Sequence, residues 1–180
     1  MKNIQSLFSV TELSLPGVLL ITPSLFKDGR GFFVETYNEQ AFAHCGITAR
    51  FVQDNLSYST HKVLRGLHRQ LEPHAQDKLV RCARGEIFDV AADVDSVSST
   101  YGKHISVTLS AENGNMLFIP GRYAHGFCVL SIEALVEYKV TDVYTPEAAT
   151  GVRFDDPVLG ISWPITDPIL SEQDRNWPSL

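Results

Sequence analysis

Glu86-Ile87-Phe88-Asp89-Val90-Ala91-Ala92-Asp93 is followed a short step downstream by Ile105-Ser106-Val107-Thr108-Leu109, and these two segments decide the fold class. In the second, apolar and polar residues alternate without a break, the period of a strand with one buried face. In the first, alternation puts Phe88, Val90 and Ala92 on one face. Working outward, strand-like runs recur at residues 18–22, 32–36, 51–53, 63–70, 78–83, 116–119, 127–130 and 132–140. Turn pairs such as Arg84-Gly85, Asn113-Gly114 and Pro120-Gly121 punctuate them, and the last suits a type II turn with proline second and glycine third. Helix signals are few. Asn38 can cap residues 39–44 ahead of Gly46, and Ser171 can cap a turn running through Asp174. Many short strands with little helix between them predict an all-β jelly-roll sandwich or barrel, one domain over residues 1–180.

The composition suits that fold, because 180 residues with 44% hydrophobic content can bury a substantial core. A formal charge of −6 gives no support for nucleic-acid binding, and no basic run suggests a membrane surface. An anionic ligand would therefore need individually placed arginines and lysines. Cys45, Cys82 and Cys128 are widely spaced, odd in number and form no CxxC pair, so neither a zinc site nor a disulfide framework is indicated. Cys82 and Cys128 sit in apolar, strand-like surroundings and read as core residues. With no signal-peptide pattern and no apolar run of membrane-spanning length, the expected compartment is the cytoplasm.

Chemistry concentrates in Arg65-Gly66-Leu67-His68-Arg69-Gln70. Plain alternation puts Leu64, Gly66, His68 and Gln70 on one side and Arg65, Leu67 and Arg69 on the other, so His68 points into a cavity and Arg65 away from it. His125 follows the Pro120-Gly121 turn and opens the next strand, near a barrel mouth. Tyr138 shares an inward face with Ala134, Val136 and Val140, and Lys78 lines up with Val80 and Cys82 on a face that reads as buried. Asp174 is a helix-capping carboxylate with acceptor sites to spare, enough to orient a histidine as well. Each has an ordinary structural explanation when taken alone. Metal-binding barrels of this kind use an HxH pair, a following glutamate and a later histidine. Here the pair reads His68-Arg69-Gln70, and an amide is a poor ligand; Glu72 is too close and precedes a proline, which argues against a metal. No cofactor is implied. An imidazole, a lysine and a tyrosine converging in a barrel suit proton abstraction beside a carbonyl.

At this point the chain resembles the dTDP-4-dehydrorhamnose 3,5-epimerases, metal-free barrels of the cupin type. The resemblance runs through Phe26-Lys27-Asp28-Gly29-Arg30-Gly31-Phe32-Phe33-Val34-Glu35, Phe51-Val52-Gln53-Asp54-Asn55-Leu56-Ser57 and Leu64-Arg65-Gly66-Leu67-His68. It continues through Lys78-Leu79-Val80-Arg81-Cys82, Ala124-His125-Gly126-Phe127, Tyr138 and the tail Trp163-Pro164 to Leu170-Ser171-x-x-Asp174. It implies that His68, paired with Asp174, is the general base and Tyr138 the acid on the opposite face, with Lys78 and His125 stabilising charge on the C4 oxygen. It implies Arg65 on the diphosphate of a nucleotide sugar, with Gln53 and Asn55 nearby. It implies a homodimer with strand exchange in which Arg30, Phe33 and Glu35 come from the partner subunit. Ala149 and Gln173 depart from the family pattern, which often has an acid and a lysine there, and bear on which sugar is used. Three other readings stay open: an epimerase acting at C3 alone, a 3,4-ketoisomerase, and a sugar-binding barrel without catalysis.

Overall fold

A computed structural model describes residues 7–180. Thirteen strands and two short helices follow in the order β1 (Phe8–Glu12), β2 (Leu19–Pro23), β3 (Phe26–Asp28), β4 (Gly31–Phe33), α1 (Glu39–His44), β5 (Gln53–Thr60), β6 (Leu64–Gln70), β7 (Lys78–Arg84), β8 (Glu86–Ala92), β9 (His104–Ser110), β10 (Met116–Ile119), β11 (Ala124–Val129), β12 (Glu133–Val140), β13 (Ala149–Gly151) and α2 (Glu172–Arg175). The strands form a six-stranded sheet in the order β1-β2-β10-β7-β12-β5, a five-stranded sheet in the order β13-β6-β11-β8-β9, and a separate β3–β4 hairpin. Every strand pairing in these sheets is antiparallel. The result is a cupin-type jelly roll. Among the described residues, no helix is long and apolar enough to cross a membrane.

The two main sheets close on one apolar core. Val80 and Cys82 of β7, Leu117 and Ile119 of β10 and Val136 of β12 meet Ile87 and Ala91 of β8, Leu109 of β9 and Val129 of β11. The outer side of the six-stranded sheet is partly covered by α1, where Phe42 packs on Phe8, Ile21, Leu79 and Met116. Asn38 caps that helix, its side-chain oxygen accepting from Ala41 N at 3.0 Å, and the helix stops ahead of Gly46. The outer side of the five-stranded sheet is covered by the C-terminal segment, which buries Val90 and Ala92 with Val152 and Leu159. β8 is thus buried on both faces. The apolar row Phe88, Val90 and Ala92 looks outward onto that segment, and Ile87, Asp89 and Ala91 fill the barrel side.

The structure shortens or shifts several expected elements. The run at 32–36 stops at Phe33, because β4 belongs to a two-stranded hairpin with no further strand to continue against. β5 begins at Gln53, the last residue of the run expected at 51–53, and continues to Thr60, so Phe51 and Val52 precede the strand. Its buried and half-buried positions are Gln53, Asn55, Ser57 and Ser59, while Leu56 and Tyr58 are exposed. That is the reverse of the apolar-in pattern used to find strands. The Pro120-Gly121 turn is not type II. Tyr123 N donates to Pro120 O at 3.0 Å, which makes Gly121 and Arg122 the central residues, and Gly121 keeps φ outside the left-handed region. Glycine is needed there for space: a Cβ would lie 2.8 Å from Gln76 N.

Candidate active site

At one end of the barrel the apolar filling gives way to a cavity of about 520 Å³ lined by Arg65, His68, Gln70, Lys78, His125, Tyr138 and Asp174, together with Ser57, Gln76, Phe127 and Trp177. A bulge in β6 creates the arrangement. Arg65 pairs with Phe127 and His68 with His125, so three residue steps on β6 match two on β11. Gly66 absorbs the extra residue at φ +124°, and a Cβ on it would stand 2.6 Å from Gly126 Cα. The bulge reverses the alternation. Leu67 turns into the outer apolar cluster, and Arg65, which plain alternation aimed away, shares the cavity with His68. The guanidinium is braced from β5: Nε donates to Ser59 Oγ at 3.0 Å and one terminal nitrogen to Tyr58 O at 3.3 Å.

His68 and Asp174 are joined by a hydrogen bond between Nε2 and Oδ1. Ser171 caps α2 as its spacing predicts, accepting from Asp174 N at 3.0 Å, and its own hydroxyl donates to Asp174 Oδ2 at 2.8 Å. Burial pushes the Asp174 carboxyl upward, but the bonds from His68 and Ser171 and from Gly66 N outweigh it and hold the group below the ordinary carboxylate range. An ionised carboxylate only accepts, so His68 must donate from Nε2. In the neutral imidazole the lone pair is then on Nδ1.

His125 is also paired, its Nε2 lying 3.0 Å from each oxygen of the fully buried Asp89. Asp89 is a functional candidate that sequence reasoning missed. The signal was an aspartate between Ile87 and Ala91 on the core-facing row of β8. Tyr138 is half-buried between its apolar neighbours and the cavity, and burial raises its hydroxyl above the ordinary tyrosine range against the pull of Arg65. Gln70 faces the cavity but its amide is occupied. It donates to His74 O at 2.7 Å and Val143 O at 3.2 Å, and accepts from Thr145 N at 2.7 Å, staking the loops at the rim. Ala149 and Gln173 both line the wall.

The remaining candidates lie elsewhere. Asn55 lines an adjoining cavity of about 340 Å³ with Arg81 and Lys139, and Gln53 donates to Asn55 Oδ1 at 2.8 Å. Arg30 and Phe33 are on the exposed β3–β4 hairpin, Arg30 bonded to Asp28, and neither they nor Glu35 line either cavity. Among the described residues no group of three or more His, Cys, Asp or Glu side chains could hold a metal ion. Cys82 and Cys128 are buried free thiols, pushed up by burial to about 11 and about 12.

Lys78 is only 7% exposed, and burial pushes its ammonium down to about 8, against the opposing influence of Asp77. A lowered lysine means that the unfolded chain binds more protons than the native one between about pH 8 and the ordinary lysine range, so this group's contribution to stability improves as pH rises through that window. Lys78→Met should therefore be more stable than wild type below pH 8, by on the order of 3 kcal/mol. The gap should close toward pH 10. Paired urea titrations of the two proteins across that range measure it, and the buried cysteines, common to both, cancel.

The sequence profile of dTDP-4-dehydrorhamnose 3,5-epimerase matches residues 12–180. The chain is 51% identical over 176 residues to the dTDP-4-dehydrorhamnose 3,5-epimerase of Methanothermobacter thermautotrophicus, covering 96% of this chain and 95% of that one. The crystal structure of the Bacillus anthracis dTDP-4-dehydrorhamnose 3,5-epimerase with TDP and PPi bound matches with a TM-score of 0.93 at 42% identity, covering 96% of this chain and 99% of that one. The dTDP-6-deoxy-D-glucose-3,5-epimerase of Legionella pneumophila in complex with dTDP-4-keto-L-rhamnose matches with a TM-score of 0.88 at 42% identity, covering 93% and 89%. A jelly roll with this cavity and likeness along nearly its whole length belongs to the dTDP-4-dehydrorhamnose 3,5-epimerase family, and the chain is an isomerase.

Proposed function

We propose that this chain inverts C3 and C5 of a dTDP-4-keto-6-deoxyhexose, a step of dTDP-rhamnose-type biosynthesis, by removing each proton and returning one on the other face. The observation that carries this reading is the His68–Asp174 pair lining one cavity with Lys78 and Tyr138. The 4-keto group acidifies the hydrogens at C3 and C5. His68 Nδ1 is the base, and Asp174 holds its tautomer and stabilises the imidazolium that forms. The Lys78 ammonium and His125, fixed by Asp89, stabilise the enolate oxygen at C4, where a desolvated charge acts most strongly. Tyr138, kept protonated by burial, delivers the proton to the opposite face. None of these steps calls on a cofactor. The complexes of relatives with TDP and with dTDP-4-keto-L-rhamnose support the choice of substrate.

For the nucleotide end we assign Arg65 to the diphosphate, since its planar fork is already oriented by Ser59 and Tyr58. Gln53 and Asn55 lie toward the nucleotide. In this reading two copies of the chain pair, and Arg30, Phe33 and Glu35 complete the partner's site from the β3–β4 segment. The exposure of Phe32 (56%) and Phe33 (67%) on that hairpin supports it. Sedimentation should give twice the mass of one chain, and a monomer that turns over at the full rate would remove this part of the assignment.

The reaction itself is tested by incubating the enzyme with the 4-keto sugar nucleotide in deuterated water and following C3 and C5 by NMR. Deuterium should enter both positions, and His68→Asn should abolish entry at both with the fold and nucleotide binding retained. Entry at C3 alone would make this a 3-epimerase, and entry at neither would overturn the assignment.

A further inference from the structure

The imidazole of His68 has a second neighbour besides Asp174. The indole of Trp177 stands edge-to-face against it, with ring centroids 5.9 Å apart and planes at 65°. The tail that carries this indole is tied at three points. Asn176 Nδ2 donates to Glu172 O at 2.9 Å, Arg153 N donates to Pro178 O at 3.0 Å, and Leu180 N donates to Asp156 Oδ2 at 2.9 Å. The seat of the indole is Gly151 of β13, the cross-strand partner of His68 itself. A Cβ on Gly151 would lie 2.6 and 2.7 Å from two indole carbons and 2.5 Å from Leu67 O. The strand beside the base is therefore notched at one residue, and the notch is filled by an aromatic ring aimed at the base.

The two tryptophans of the chain differ in what holds them. Trp163 packs on Phe88 and donates from Nε1 to Phe154 O at 2.8 Å, the usual state of a structural indole. Trp177 Nε1 is buried without a hydrogen-bond partner, and the residue lines the cavity. A tryptophan used only as packing would be expected to satisfy its N–H. Here the ring's placement against His68 takes precedence over that bond.

We infer that Trp177 is a positioning residue for His68: it holds the imidazole in the orientation that keeps Nε2 on Asp174. This rests on reading His68 as the base. A single hydrogen bond to Asp174 leaves the ring free to swing about that bond, and the His68 side chain is 42% exposed. The indole closes one side. The other charged or titratable groups lining the cavity around His68 are Arg65 and Arg69 on its own strand, His125 on β11, Lys78 on β7, Tyr138 on β12, Tyr144 between β12 and β13, and Asp174 on α2.

The test compares Trp177→Ala and Trp177→Phe in steady-state kinetics, with fluorescence of the Trp163→Phe protein, in which Trp177 is the sole indole. Trp177→Ala should lower kcat about tenfold, because the base is aligned on Asp174 for a smaller fraction of the time, with KM little changed. Trp177→Phe should recover to within about twofold, because a ring is restored. In the single-tryptophan protein, emission should change with pH as the facing imidazole takes up a proton, and that change should vanish in His68→Asn. Full kcat in Trp177→Ala, or an emission that ignores His68, would overturn the inference. If His68→Asn retained turnover, the base assignment itself would fail, whatever the Trp177 variants did.

Discussion

The site depends on the backbones of β6 and β11 touching at Gly66 and Gly126. A Cβ on Gly66 would stand 2.6 Å from Gly126 Cα, and one on Gly126 would stand 2.7 Å from Arg65 O, so neither strand tolerates a side chain there. The approach forces one extra residue into β6, and that residue brings Arg65 and His68 to the same side of the sheet. In a regular strand, positions three apart face opposite ways, and Arg65 and His68 could not share a cavity. Gly66 N also donates toward Asp174 Oδ1 at 3.4 Å, so the carboxylate that orients His68 is held by the bulge as well. The bulge and the dyad are one construction.

Around that construction the barrel is polarised from end to end. One end is filled by Val80, Ile87, Leu109 and Leu117 and is rigid in the way a close-packed interior is. The other end holds Lys78, Arg65, two histidines and two carboxylates, most of them buried, and all but Lys78 are hydrogen-bonded to their neighbours. In the apo protein the Lys78 ammonium opposes folding, as a desolvated charge must. The same desolvation makes it effective against a developing negative charge. The acidic chain as a whole does not attract an anion, so affinity for a diphosphate has to come from such local placements.

Sequence patterns reveal a strand when its two faces differ in polarity, and they fail where the site requires otherwise. β9, with its strict alternation, and the caps at Asn38 and Ser171 lie where the sequence indicates. β5 lies mostly beyond the expected run because its less exposed row is Gln53, Asn55, Ser57 and Ser59, which carries no apolar signal. The facing of Arg65 is misread because a bulge is a contact between two distant glycines, which no period within β6 can announce. Lys78 and Tyr138 are correctly turned inward because β7 and β12 pair without a shift from Lys78 to Cys82 and from Val136 to Val140, the stretches whose alternation places them. His68 and Asp174 meet as the family resemblance implies, 106 positions apart in sequence. Asp89 and Trp177 escape notice for different reasons. Asp89 hides in a strand buried on both faces. Trp177 depends on a notch at Gly151 that exists only once β13 lies beside β6.

In the proposed reaction His68 depends as a base on an ionised Asp174 that fixes its tautomer, and this dependence decides the mechanism. It is tested most directly in Asp174→Asn, which keeps the size of the side chain and removes its charge. Solvent-deuterium exchange into the bound 4-keto sugar should be read together with TDP affinity and thermal stability. The expected result is exchange slower by about 10²- to 10⁴-fold, the span of a general base's contribution, with TDP affinity close to wild type. Exchange at the wild-type rate in a folded, TDP-binding Asp174→Asn protein would contradict it.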